Sequence, residues 1–203
     1  MTADDSAQGT LFDLARKYDT IPYAAQSNAL SHPTHLATVG TLLGLTPAPA
    51  TRARVLEVGC SDGTNLLPMA YTLPDAQFVG CDISSHAIAQ AKRSASELGL
   101  RNVEFVQRDL ATLIDDAPSF DYIVAHGVYS WVPASVRDAL LSLAHARLTQ
   151  NGLMFVSFNV YPGCHVREAT WRMLHHHVDA IADPRARLDA ASAFAALLAE
   201  SQT

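Results

Sequence analysis

Cysteine is scarce in this chain: Cys60, Cys81 and Cys164 are the only three, an odd number with no Cys-x-x-Cys spacing. That excludes a disulfide framework and a zinc ribbon, and reduced thiols in a cytoplasmic protein are the reading that follows. No run of lysine or arginine stands out among the 14 basic residues, and the formal net charge is −6. Both features argue against a nucleic-acid backbone as partner and suit a cationic ligand better. No apolar stretch approaches the roughly 20 residues of a membrane span, and the polar start, residues 1–9, is unlike a signal peptide. Membrane insertion is not expected. No repeat recurs at a fixed period, and no Ser/His/Asp pattern announces a covalent nucleophile.

What is present is apolar mass, 49% hydrophobic over 203 residues. That is enough for one sizeable α/β core. The stretch 54–64 organises it. Val55, Leu56 and Val58 read as a short buried parallel strand, and Gly59 and Gly63 follow at once. Gly59 permits a sharp turn and a close ligand approach. Gly63 is expected to open a helix whose N-terminus favours a carboxylate or phosphate. Strand and helix then alternate: helix 65–73, strand 77–81, helix 85–98 closed by Gly99, strand 103–107, strand 121–125, helix 133–148. Asn151-Gly152 reads as a turn into a fifth strand, 153–158. Such alternation predicts a parallel sheet with right-handed crossovers and a ligand over the carboxyl ends of its strands.

Outside this core, residues 1–50 read as an N-terminal helical cap and linker. Residues up to Gly9 are expected to lack order, and 11–28 to hold a helical turn and a loop. Ser31-His32-Pro33 starts a helix with Leu36, Val39, Leu42 and Leu43 on one face and Gly44 at its end. After the core, 51–160, only helix is legible: 165–182, a break at Asp183-Pro184, then an Ala-rich segment. Leu188, Phe194, Leu197 and Leu198 give that last segment an apolar side, which is expected to meet a second copy or a further domain. His175-His176-His177 do not make a metal site, because successive helix residues point about 100° apart.

The pocket's cofactor is read from its acids. The dinucleotide fingerprint Gly-x-Gly-x-x-Gly is missing its second glycine, since Ser61 stands there. Instead Glu57 ends the strand, where an acid repels a pyrophosphate and holds an ammonium group. Asp82 ends the second strand, placed to accept hydrogen bonds from both ribose hydroxyls. Asp109 follows the third, placed to receive an adenine amino group. With these residues in this order, the chain resembles the class I S-adenosylmethionine-dependent methyltransferases. Glu57-Val58-Gly59-Cys60-Ser61-Asp62-Gly63 looks like their first motif, and Asp82 like the acid closing their second strand. Their Rossmann-like, doubly wound, mostly parallel α/β fold is what the resemblance implies. So is S-adenosyl-L-methionine as cofactor, held by Glu57, Gly59, Cys60, Gly63, Asn65, Asp82, Ile83, Asp109, Leu110 and His126.

A narrower resemblance rests on Tyr18-Asp19, Pro22-Tyr23, Ser31-His32-Pro33, the run 125–133 and Asn159-Val160-Tyr161-Pro162-Gly163. These look like methyltransferases carrying a downstream methyltransferase regulatory domain, a group that includes bacterial lysine methyltransferases of outer-membrane proteins. Cys164 departs from that group, which usually has tryptophan after Pro-Gly. The likeness implies a protein nitrogen as acceptor. Methyl transfer is an in-line displacement that mostly needs alignment at about 3–3.5 Å. A lysine must also shed a proton, its free pKa being about 10.4.

Tyr129 and Trp131 are expected to wall the acceptor channel, with His126 orienting or deprotonating the acceptor and Tyr161 beside it. Alternatively Trp131 packs the next helix, His126 caps the strand and Tyr161 anchors a turn. Tyr18 and Tyr23 are either an aromatic lid over the sulfonium or plain packing. Asp62 either meets the cofactor or caps the helix. Cys60 and Cys81 read as small packing residues at the pocket. A nicotinamide oxidoreductase, a small-molecule methyltransferase and a cofactor-sensing module without turnover are the rival readings.

Overall fold

A computed structural model describes residues 26–112 and 117–200 of the chain. The chain divides into two compact units, Met1–Phe158 and Asn159–Thr203.

Among the described residues the first unit is built on five strands: β1 (Arg54–Val58), β2 (Gln77–Asp82), β3 (Val103–Gln107), β4 (Phe120–Ala125) and β5 (Leu148–Val156). All pair in parallel, in the order β3-β2-β1-β4-β5. Helices α1 (Pro33–Leu42), α2 (Leu66–Thr72), α3 (Ser85–Glu97) and α4 (Ala134–Arg147) flank the sheet. Alternation along the central strands sorts side chains to its two faces. Val55, Tyr122 and Val124 join Leu66, Met69, Ile88 and Ala91 in one apolar cluster. Leu56, Val58, Ile123 and Ala125 join Leu140 and Leu143 in the other. This is the Rossmann-like α/β fold. Chain direction across the sheet reverses between β1 and β4, which puts the crevice for a ligand at their carboxyl ends.

Three expectations change in this unit. The buried face of α1 is Pro33, Leu36 and Gly40, whereas Leu42 and Leu43 are 81% and 76% exposed. The cause is Gly40: a Cβ there would lie 2.8 Å from Leu153 Cδ1. A bare backbone is the contact surface, and an apolar pattern does not count it. Next, Asn151-Gly152 is no turn before β5 but part of an irregular stretch inside it. Phe120 pairs with Leu148 and Tyr122 with Leu153, so β5 carries extra residues opposite Asp121. The Asp121 carboxylate organises the irregularity, accepting from Thr149 Oγ1 at 3.1 Å and from the Arg54 N–H at 2.9 Å. Finally, α2 starts at Leu66, later than Gly63, for reasons given below.

The second unit holds α5 (His165–Val178), shorter than expected, and α6 (Pro184–Glu200). Asp183 Oδ1 accepts from the Ala186 N–H at 2.8 Å and caps α6. Phe194 stacks on His177 with ring centroids 4.1 Å apart, while Leu188 and Leu197 stay exposed.

Candidate functional site

Beyond β1 the chain turns twice at glycine. The N–H groups of Gly59 and Cys60 both donate to the Cys81 carbonyl, at 2.8 and 3.1 Å, which clamps the bend to the end of β2. Gly59 has φ +70°, and a Cβ on it would lie 2.4 Å from Val128 Cγ2. Gly63 has φ +81°, with Phe105 Cζ 2.8 Å from where its Cβ would stand. Both positions therefore require glycine on two counts, handedness and space. Gly63 belongs to the turn and does not open the helix; its carbonyl accepts from Leu66 and Leu67. Asp62 Oδ1 accepts from the Thr64 N–H at 3.1 Å, so it closes the turn ahead of α2.

Glu57 sits at the tip of β1, 2% exposed. Its Oε1 accepts from Asn65 Nδ2 at 2.6 Å, and its Oε2 is buried with no hydrogen-bond partner. Burial pushes this carboxyl up to about 8, with the nearby Asp82 charge adding and the Asn65 hydrogen bond opposing. A dry acid with a vacant oxygen at a glycine bend suits an ammonium group. On this ground the residues fit the amino-acid end of S-adenosylmethionine.

From Glu57 a chain of hydrogen bonds runs outward. Asn65, also buried, donates to Ser31 Oγ at 3.1 Å, and its Oδ1 accepts from the Asn28 N–H at 2.8 Å. Asn28 Nδ2 lies 3.3 Å from His126 Nδ1, and Ser157 Oγ lies 3.0 Å from the same nitrogen. Ser157 Oγ in turn accepts from the Gly127 N–H at 2.8 Å. The His126 ring is tilted against Phe155, and burial lowers its pKa, so it is held neutral near pH 7. Asn28 and Ser157 are site residues that the sequence alone does not single out, and Ser31, read there as a helix start, holds Asn65 as well. Short polar residues in loops carry no periodic signal.

Asp82 ends β2 with both carboxylate oxygens in use, Oδ2 accepting from the Ser61 N–H and Oδ1 from the Ser84 N–H, each at 2.9 Å. A carboxylate offers about four lone-pair sites, so room for further donors remains. Ile83 follows, its carbonyl accepting from Gln107 Nε2 at 3.1 Å. Asp109 is half-buried beyond β3, its carbonyl accepting from the Thr112 N–H and hydroxyl. Leu110 is buried in the apolar cluster with Ile123. Cys60 and Cys81 are buried thiols whose pKa values burial raises, Cys81 to about 12. They pack and do not act as nucleophiles.

After β4 come Tyr129 and Trp131. The Tyr129 ring is tilted against Phe158 at 6.0 Å with the Arg137 guanidinium 5.7 Å from its centroid. Trp131 is 41% exposed. Tyr161 lies in the second unit, donating to Glu168 Oε2 at 2.9 Å; Glu168 is paired with Arg172 at 2.6 Å. Tyr18 and Tyr23 lie outside the described residues. The glycine turn, Glu57, Asn65, Asp82 and His126 are thus brought into one connected arrangement at the strand tips.

Comparison with known proteins agrees with this geometry. The family model of a methyltransferase domain, Methyltransf_12, matches residues 56–154. An uncharacterized protein of Rickettsia prowazekii is 36% identical over 180 residues, 89% of this chain and 32% of its own length. A second from that organism is 37% identical over 160 residues, 79% of this chain and 64% of its own. Among solved structures, PKMT2 from Rickettsia typhi in complex with AdoHcy matches with a TM-score of 0.79 at 34% identity. That match covers 89% of this chain and 35% of the other. The chain thus spans about a third of the first relative and of this structure, and under two thirds of the second relative. Residues 56–154 belong to the class I, S-adenosylmethionine-dependent methyltransferases.

Proposed function

We propose that this chain transfers a methyl group from S-adenosylmethionine to a nitrogen on a protein, a lysine side chain foremost. The observation that carries the reading is the buried Glu57 carboxyl with its vacant Oε2 at the glycine bend. The cofactor, when bound, supplies an electrophilic methyl carbon on a sulfonium. Glu57 would hold its ammonium group beside the turn that Gly59 and Gly63 shape by packing against Val128 and Phe105, and Asp82 would receive the ribose hydroxyls. Asp109 and Leu110 would border the adenine. Tyr129 and Trp131 would wall the acceptor channel, where an apolar, aromatic surrounding favours the neutral amine that must attack. Tyr161 is assigned to the acceptor from its place in the resembling motif.

A protein acceptor is supported by the narrower likeness to methyltransferases with a regulatory domain and by the relative designated PKMT2. The acidic chain, net −6, also favours a cationic acceptor. Incubating the protein and radiolabelled cofactor with a lysate of the source cells, resolved by size, tests this. Label in protein bands, carried on lysine, is the expected result. Label only in small molecules would move the acceptor class. Tight AdoHcy binding with no transfer to any fraction would make the chain a cofactor sensor.

A further inference from the structure

Hydrogen atoms on histidine and asparagine are assigned from partners, and here two backbone N–H groups make the assignment. The Leu30 N–H donates to Asn28 Oδ1 at 3.0 Å. A backbone N–H only donates, so that atom is the oxygen and the other terminal atom of Asn28 is the NH2. It is the NH2 that faces His126 Nδ1. On the opposite side the Gly127 N–H donates to Ser157 Oγ, leaving the hydroxyl proton free to point at the same Nδ1. Two donors converge on Nδ1, which must then be the unprotonated nitrogen of the neutral ring.

We infer that Asn28 is a positioning residue that, with Ser157, locks His126 as the Nε2–H tautomer. His126 then serves the methyl-transfer site as a hydrogen-bond donor and not as its base. The only basic atom of a ring so held is Nδ1, and it is already occupied. The backbone N–H of the same Asn28 is held by Asn65, whose amide holds Glu57. One residue therefore joins the cofactor's expected ammonium site to the ring in the acceptor loop. The sequence alone leaves His126 free to orient or to deprotonate. The structure selects orientation. The amine's proton must then leave by solvent or another group.

The inference rests on the proposed methyl transfer for its consequence but not for its geometry, and the test separates the two. Asn28→Asp keeps the oxygen that caps Leu30 and the N–H to Asn65, while replacing the NH2 by an acceptor. Long-range 1H–15N spectra of the full chain, with His126 assigned by substitution, report which ring nitrogen carries the proton. Wild type is expected to be protonated at Nε2, and Asn28→Asp to move the proton to Nδ1. Turnover should fall about tenfold or more as the ring presents the wrong atom, with AdoHcy affinity retained. Should Asn28→Asp fold poorly, Asn28→Ala serves, and a mixture of tautomers is expected. A proton on Nδ1 in wild type, or one that stays on Nε2 in both variants, overturns the inference. Absence of turnover in wild type would refute the methyltransferase reading and leave the tautomer measurement standing.

Discussion

A carboxyl group removed from water, with a single amide to lean on, keeps its proton. Glu57 is in that position, at about 8 in the folded chain against 4.5 for the free side chain. The folded state binds the proton more tightly, so stability from this group is complete below pH 4.5 and is lost as pH rises to about 8. Each tenfold gain in proton affinity on folding is worth about 1.4 kcal/mol. His32 and His126, whose pKa values burial lowers, give the opposite slope, so wild type alone does not isolate the effect. The comparison is with Glu57→Gln. Denaturation at a series of pH values should show the variant gaining on wild type as pH rises through that window; a constant difference would contradict it. An ammonium group favours the ionised acid, so AdoHcy affinity should climb toward pH 8 by up to about tenfold for each step of one in pH. Glu57→Gln should flatten that climb. Asp82 carries two duties, because Ser61 and Ser84 donate to it. Asp82→Ala should weaken AdoHcy by about 1.5–3 kcal/mol and also lower folding stability by about 1–3 kcal/mol for the stranded N–H groups. Calorimetry and a melt on the same sample separate the two losses, and unchanged affinity would remove the ribose assignment.

At the scale of elements, the glycine turn is where shape and sequence agree most closely. Gly63 and Gly99 both have positive φ, but only Gly63 has Phe105 against it; nothing lies within 4 Å of the Cβ position at Gly99. Gly99→Ala should therefore cost about 1 kcal/mol from backbone strain, and Gly63→Ala about 1–3 kcal/mol more from overpacking. Equal urea midpoints for the two would rule out the Phe105 contact. The same contrast explains what can be read in advance. β1, β2 and β3 and the acids at their ends are legible because strand alternation and strand-end carboxylates are local signals. The α1 face misleads because its key contact residue, Gly40, has no side chain. The irregularity in β5 depends on Asp121, which is distant in sequence from both the Arg54 N–H and Thr149. The line from Glu57 through Asn65 and Asn28 to His126 joins the tip of β1 to three loop positions, and pairings of that kind leave no period to detect.

The whole chain offers a built-in way to follow the first unit by itself. Its two tryptophans are divided between the units, Trp131 in Met1–Phe158 and Trp171 in Asn159–Thr203. The elements that would hold the cofactor, the tips of β1, β2 and β3 and the turn after β1, all lie in the first. Binding confined to the native form of that unit stabilises it by mass action, about 2.7 kcal/mol at a hundred times the dissociation constant. For a unit of this length each kcal/mol raises the midpoint by about 2–4 °C, so a rise of about 5–10 °C is expected. The measurement is a fluorescence melt of Trp171→Phe, in which Trp131 is the sole tryptophan reporter, with and without AdoHcy. The shift should grow with the logarithm of AdoHcy concentration once the site is saturated, because linkage and not a fixed contact sets it. A Trp131 transition indifferent to AdoHcy would mean that the strand tips do not take the cofactor. The Glu57 and Asp82 assignments would fail with it.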